Sequence, residues 1–187
     1  GLAILISILI VLSLASEAVL FLTKIDLGQL TSLTWQPRAD DWGIIALIAG
    51  TVQVALIAML IATPLGLGAA IYLAEYASPR MRGILKPILE ILAAIPSVVL
   101  GYFAITVLSP TVVDTICPGP TPVFTVAAAG IAVGILITPL IASISEDALY
   151  AVPNSLREAS YGLGARKRTT SLKVVAPAAT SGIVAAL

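Results

Sequence analysis

At 187 residues, 59% hydrophobic and 11% charged, with a mean hydropathy of +1.07, the chain carries more apolar surface than one soluble core can hide. Ten Lys and Arg balance ten Asp and Glu and there is no His, so a basic nucleic-acid surface is excluded and the commonest acid–base catalyst and metal ligand is missing. The lone Cys117 can make neither an intrachain disulfide nor a thiolate metal site and is read as structural. The composition points to an all-α, polytopic transmembrane helical bundle, with no catalytic or metal site, no cofactor of its own and membrane lipid as its solvent.

The first apolar run, Leu2 to Leu22, matches the ~20 residues a helix needs to cross a bilayer core. Ala15 and Ser16 leave a cleaved signal peptide open as the alternative. Glu17, near the end of that run, is read as snorkelling to the interface, with a place beside a polar path as the alternative. A polar linker, Thr23 to Asp41, then carries Trp35, Pro37 and, just beyond it, Trp42; residues 23–42 are expected to form an external loop. The second run, Gly43 to Ala74, would measure about 48 Å as one helix at 1.5 Å per residue, longer than a ~30 Å hydrocarbon core. It must therefore tilt, kink or protrude, and Pro64 followed by Gly66 and Gly68 is the expected place. Glu75 and Tyr76 mark its exit.

A short basic connection, Ser78 to Lys86, leads to a third span from Pro87 to Leu108, with Glu90 read as a cap or as the i,i+4 partner of Lys86. A Pro-rich break, Asp114 to Pro122, precedes a fourth span, Val123 to Ser145. A polar segment, 146–173, separates it from Val174 to Leu187, the opening of a fifth. The fragment thus holds about four complete spans and the start of another, within a single transmembrane domain over 1–187. It begins at Gly1 without Met and stops inside an apolar segment, so the native protein is expected to be longer at both ends.

Lys and Arg set the orientation: Lys24 and Arg38 on one side face eight cations on the other, Arg80, Arg82, Lys86, Arg157, Arg166, Lys167, Arg168 and Lys173. The positive-inside rule places the N-terminus, Ser78 to Lys86 and 146–173 in the cytoplasm. A bacterial or archaeal cytoplasmic membrane is the expected location. Pro96 and Ser97 fall near the middle of span three, where a kink and a hydroxyl can shape a translocation path; Thr138 and Pro139 in span four are similar, and in both places an ordinary span accounts for the residues equally well.

Segment 146–173 is longer and more organised than a connection requires. Pro153 and Asn154 break the chain, Ser155 with Glu158 makes a capping box, and Leu156, Ala159, Ser160 and Leu163 line one face of a short helix. Either Gly162 or Gly164 takes the left-handed position that ends it. Ala159 and Ser160 leave a small-sided face that another protein can approach, and a basic patch, Arg166 to Arg168, follows.

This loop is similar to the EAA motif of ABC importers: Glu-Ala-Ala, three residues, Gly, nine residues, Ile, one residue, Leu-Pro. Glu158, Ala159 and Ser160 stand first, Gly164 falls at the required place, Val174 takes the Ile position and Ala176 with Pro177 closes it, so that Ser160, Val174 and Ala176 depart conservatively. The resemblance implies that Ser155, Glu158, Ala159, Ser160, Gly164 and Pro177 belong to a coupling helix seated on a separate ATPase subunit. For Glu158 the capping box is the alternative account, since it explains the carboxylate without any partner. No Walker A pattern occurs here, so ATP and Mg²⁺ are expected on the partner, and the chain is expected to be a non-catalytic transport subunit.

The stretch Pro64 to Pro110 resembles the phosphate-system permeases, PstC-like in particular, through Glu75-Tyr76-Ala77, Pro79-Arg80, Leu85-Lys86-Pro87, Glu90 and Ile95 to Val99. The resemblance implies a type I ABC importer permease that pairs with a second homologous permease and receives phosphate from an external binding protein. The Arg-Ala-x-Gly-Glu-Thr stretch of that family would lie beyond Leu187. The alternatives are an ABC permease for another oxyanion or solute, an ion-coupled secondary transporter, for which embedded acids and inverted repeats would be the marks, and a membrane scaffold or enzyme subunit.

Overall fold

The computed structural model describes residues 2–25, 28–113, 115 and 124–187, side chains included except that of Lys24. Cys117 and most of the expected Pro-rich break lie outside them. Two compact units, 1–52 and 53–187, divide the chain.

The first unit opens with helix α1, Leu2–Lys24. Residues Leu2–Thr23 are apolar all round and bury nothing within the chain, the pattern of a helix whose surroundings are lipid or another membrane helix. Ser7 and Ser16 donate their hydroxyls to the carbonyls of Ala3 and Ser13, which satisfies them where water is absent. Glu17 is exposed. In the polar linker, strands β1 (Trp35–Gln36) and β2 (Asp41–Trp42) pair antiparallel with Trp35 opposite Trp42. Asp40 takes φ 56 in the turn between them, a conformation that Asp tolerates better than most residues. Trp42 meets Phe21 edge-on at 5.0 Å and Trp35 at 5.7 Å, an aromatic group of the kind favoured at membrane–water interfaces.

Helix α2, Ile44–Ile71, continues as a π-turn over Tyr72–Tyr76, giving 33 residues, Ile44–Tyr76, long and apolar enough to cross a membrane. Helical hydrogen bonding persists through Pro64, the expected place of a tilt or kink. Its irregularity comes eight residues later, as the wider hydrogen bonding of the π-turn.

The second unit is built round helix α5, Val126–Tyr150. Thr125 caps it by accepting from the Ala128 N–H at 3.1 Å. It runs five residues past the expected end of span four, so Glu146 and Asp147 are helical rather than part of a loop. Along α2, Ala58, Ala62, Gly66 and Ala70 recur every fourth residue and are all buried, and α5 answers with small residues. A Cβ on Gly130 would meet Ile57 Cβ at 2.6 Å, one on Gly134 the Ala58 carbonyl oxygen at 3.0 Å, and one on Gly66 would stand 2.8 Å from Ile141 Cγ2. Membrane helices gain their attraction from this close approach, because lipid tails offer no hydrophobic drive between them. Gly68, also expected at a close approach, has open space around its Cβ position. Thr138 donates to the Gly134 carbonyl at 2.6 Å and Pro139 is buried, which gives both a packing role.

The expected third span is broken. Helix α3, Pro79–Ala93, takes in the basic connection, capped by Ser78, which accepts from the Met81 N–H. Helix α4, Ser97–Phe103, runs on as a π-helical stretch over Ala104–Val113, and the two segments meet at 79°. Among the described residues, counting them as one span gives four spans, and otherwise there are three. Ala104, Leu108 and Val113 pack on Ala128 and Ala132 at the start of α5. At its other end Leu149 and Val152 join Ala70, Val175 and Ala179.

The remaining elements are helix α6, Asn154–Gly162, helix α7, Lys167–Thr170, a π-turn over Ser171–Val175, helix α8, Ala176–Ala178, and helix α9, Thr180–Ala186.

The two glycine environments make opposite predictions. Gly130→Ala forces a methyl into Ile57 and is expected to cost about 1–3 kcal/mol, whereas Gly68→Ala adds helix propensity in open space and is expected to be neutral or to gain up to about 1 kcal/mol. Thermal unfolding in detergent compares the two.

Candidate functional site

The end of the bundle where α2 and α5 finish is organised by two buried carboxylates. The first, Glu75, lies on the π-turn with its side chain 4% exposed. Arg157 of α6 reaches it, donating from Nε and Nη2 to the same Oε1 at 3.0 and 2.9 Å. The same guanidinium donates to the carbonyls of Leu149 at 2.9 Å and Val152 at 2.6 Å, and to Asn154 Oδ1 at 3.3 Å. The two carbonyls belong to the final turn of α5 and to the second residue past it, where backbone acceptors lack helical partners and a cation is favoured by the helix dipole.

The second carboxylate, Glu146, is fully buried and held between two cations of α3. Arg82 pairs with Oε1, and Lys86 Nζ lies 2.9 Å from Oε2 and 2.5 Å from Asp147 Oδ1. Arg82 also stacks its guanidinium 3.9 Å above the Tyr150 ring. Lys86 therefore turns away from Glu90, the partner expected from sequence spacing, because Glu146 is buried and needs charge compensation whereas Glu90 is exposed. This reverses the ordinary sense of an amphipathic helix. Arg82 and Lys86 of α3 face protein, and Met81, Ile84, Ile88 and Ile91 are exposed, as a lipid-facing surface requires. Beside Glu146 the Ser145 hydroxyl is buried without a hydrogen-bond partner among the described residues.

Helix α6 begins two residues earlier than the capping box requires. Pro153 is the N-cap and no side-chain cap bond forms, so Ser155 and Glu158 lie within the helix, both exposed; proline at the boundary sets the backbone direction without a hydroxyl cap. The far end is settled by Gly164, at φ 78. The Gly164 N–H donates to the Tyr161 carbonyl at 2.9 Å and the Ala165 N–H to the Ser160 carbonyl at 3.1 Å, the bond pair of a Schellman motif. Gly162 is left inside the helix.

Two residues turn α6 inward: Arg157, and Ser160, whose hydroxyl lies 2.9 Å from that of Thr170. Ser160 is thus buried, 8% exposed, and does not form the open small-sided face with Ala159 that was expected. Ala159 is exposed, as are Leu156, Tyr161 and Leu163, the last at 89%. Lys167 lies 5.1 Å from the Tyr76 ring centre. Val174 is half-buried and Pro177 exposed at the first turn of α8.

Pro96 and Ser97 sit away from this end, at the break between α3 and α4. Pro96 is the N-cap of α4. Ser97 lines an apolar cavity of about 290 Å³, with Leu100, Gly101 and Ala104 of α4 and its π-helical extension facing Ala128 and Ala132 of α5.

Residues 62–187 match the family described as binding-protein-dependent transport system inner membrane component, and the chain belongs to it. It is a multi-pass, helical inner-membrane permease component. Across 160 residues it is 39% identical to the probable ABC transporter permease protein YqgH of Bacillus subtilis, over 84% of this chain and 51% of that protein. It is 33% identical across 170 residues to the phosphate transport system permease protein PstC of Xylella fastidiosa, over 82% and 52%. It is 35% identical across 151 residues to the phosphate transport system permease protein PstA 1 of Mycobacterium tuberculosis, over 81% and 46%. The chain spans about half the length of these relatives. The PstC-like resemblance of Pro64 to Pro110 agrees with them.

Sequence reasoning found α6 and left its end between Gly162 and Gly164, but missed both ion-pair centres: Arg157 was counted as a topology signal, and Arg82 as that or as a contact to lipid headgroups or the ATPase. The available signal was the placement of an acid immediately after each of two long apolar runs, Glu75 and Glu146. Glu146→Gln removes one charge from a buried group and is expected to cost about 3–5 kcal/mol, whereas Asp147→Asn, at an exposed carboxylate, is expected to cost about 1 kcal/mol or less. Detergent unfolding of the two variants checks the difference.

Proposed function

We propose that the protein is a membrane-spanning permease subunit of an ATP-driven phosphate importer, with α6 as the helix that docks on a separate ATPase. One observation carries this reading. The short helix is fastened to its own chain through Arg157 and Ser160 while Leu156, Ala159, Tyr161 and Leu163 stand exposed beside the exposed carboxylate of Glu158. A helix packed for its own fold would turn those apolar residues inward; a helix presented to a partner exposes them. Ser155, Glu158, Ala159 and Gly164 belong to that surface or fix its shape. Ser160 and Pro177 support it from behind and from α8.

The whole importer pairs this permease with a second, homologous one and with two ATPase subunits, which bind ATP and Mg²⁺. An external binding protein delivers phosphate, and the path alternates its opening across the membrane. The names of the relatives support phosphate as cargo. The eight cations counted on one side support a cytoplasmic position for α6 and for the N-terminus. Pro96 and Ser97, at the broken span, are the proposed lining of the path.

The test is radiolabelled phosphate uptake by the full-length protein in cells lacking only the equivalent permease. Uptake is expected to resist unlabelled sulfate and molybdate. Gly164→Val places a branched side chain at φ 78, a strain above the roughly 1–2 kcal/mol of an ordinary residue, and is expected to abolish uptake with the variant still in the membrane. An inserted, partnered protein that imports no phosphate overturns the reading, and competition by another oxyanion reassigns the cargo.

A further inference from the structure

Arg157 does more than a docking surface requires. Docking calls for an exposed face, and Arg157 lies on the opposite side of α6, 14% exposed. Its one guanidinium bonds to Glu75 on the π-turn of α2, to two carbonyls at the end of α5 and to Asn154 at the start of α6 itself.

The chemistry of this group makes the joint stiff. A guanidinium is planar and presents its donors in a fixed fork, so it cannot follow one partner without changing its angle to the others. Glu75 is 4% exposed, and water cannot readily replace a bond that α6 pulls away. The receiving side is softer. Glu75 sits within Tyr72–Tyr76, where α-helical hydrogen bonding gives way to π-bonding, an irregularity that recurs at functional positions in helices. The end of α5 is fastened a second time, by Arg82 and Lys86 on Glu146, so a displacement delivered to Leu149 and Val152 is passed on to α3.

We propose that Arg157 is a positioning residue of the transport cycle, a rigid joint that delivers a displacement of α6 to the ends of α2 and α5 together, with Glu75 as the receiving group on α2. This rests on the docking role of α6 and adds which helices that movement reaches and through which atoms.

The full-length permease, assembled with its partner permease and ATPases in phospholipid vesicles and supplied with phosphate-loaded binding protein, gives the readout: phosphate imported per ATP hydrolysed. Arg157→Gln is expected to lower that ratio roughly tenfold, inside the range of about 5–150-fold typical of coupling between sites. Arg157→Lys keeps a charge for Glu75 but cannot bond all partners at once, and is expected to fall between Arg157→Gln and the unaltered complex. Glu75→Gln lowers the ratio, and the double variant is no worse than Arg157→Gln alone, because Glu75 acts through Arg157.

A purely structural role would lower import and hydrolysis together with the amount of complex, and an unchanged ratio overturns the joint. If Arg157→Gln fails to assemble, Glu75→Gln decides, since Arg157 there keeps its bonds to Leu149, Val152 and Asn154. An unaltered complex that imports nothing overturns the transport reading, and the joint with it. An importing complex whose ratio is indifferent to these variants overturns the joint alone.

Discussion

A carboxylate withdrawn from water must be compensated by cations that meet it directly, and two such groups organise this permease. Glu75 ends the long α2 and Glu146 lies in the last turns of α5. Each demands a partner that its own helix does not supply. Arg157 answers from α6, Arg82 and Lys86 from α3. Charge thereby holds four elements in register at this end, beside the apolar cluster of Ala70, Leu149, Val152, Val175 and Ala179. The same demand explains why α3 turns Arg82 and Lys86 inward and leaves its isoleucines exposed.

Away from that end the forces change. Between α2 and α5 there is almost no polar contact, and attraction comes from the close approach allowed by Ala58, Ala62, Gly66, Gly130 and Gly134. Hydroxyls in this region are satisfied locally, as Thr138 is by the Gly134 carbonyl. Small residues set the distance between the helices, and the buried charges set their relative ends.

The sequence was most readable where one rule acts alone. Long apolar runs announced α1, α2 and α5 because no other arrangement hides so much apolar surface, and the end of α6 followed from glycine's freedom at φ 78. Rules competing at one residue were harder to rank. Ser155 with Glu158 has capping-box spacing, yet Pro153 starts the helix and the box does not form. Pro64 marked the expected place of a tilt or kink, but the change in hydrogen bonding falls at Tyr72, where no proline stands. Lys86 has a carboxylate at i+4, but the unsatisfied one is sixty residues away. Local spacing cannot show which acid is buried, so the ion pairs that position α6 emerged only once helices distant in sequence were brought together.

The contact between α2 and α5 has a mechanical consequence. Where a Cβ would already collide with the facing helix, there is no play for sliding, since packed interiors shift between discrete arrangements rather than deform smoothly. From Ala58 to Ala70 the two helices therefore form a beam. Any shape change in this unit must be taken up at its hinges, the 79° break between Ala93 and Ser97 and the π-bonded stretches at 72–76, 104–113 and 171–175. This unit is thus stiff along its middle and compliant at defined points near the beam's ends; under the proposed docking role of α6, a push on that short helix is delivered to those points.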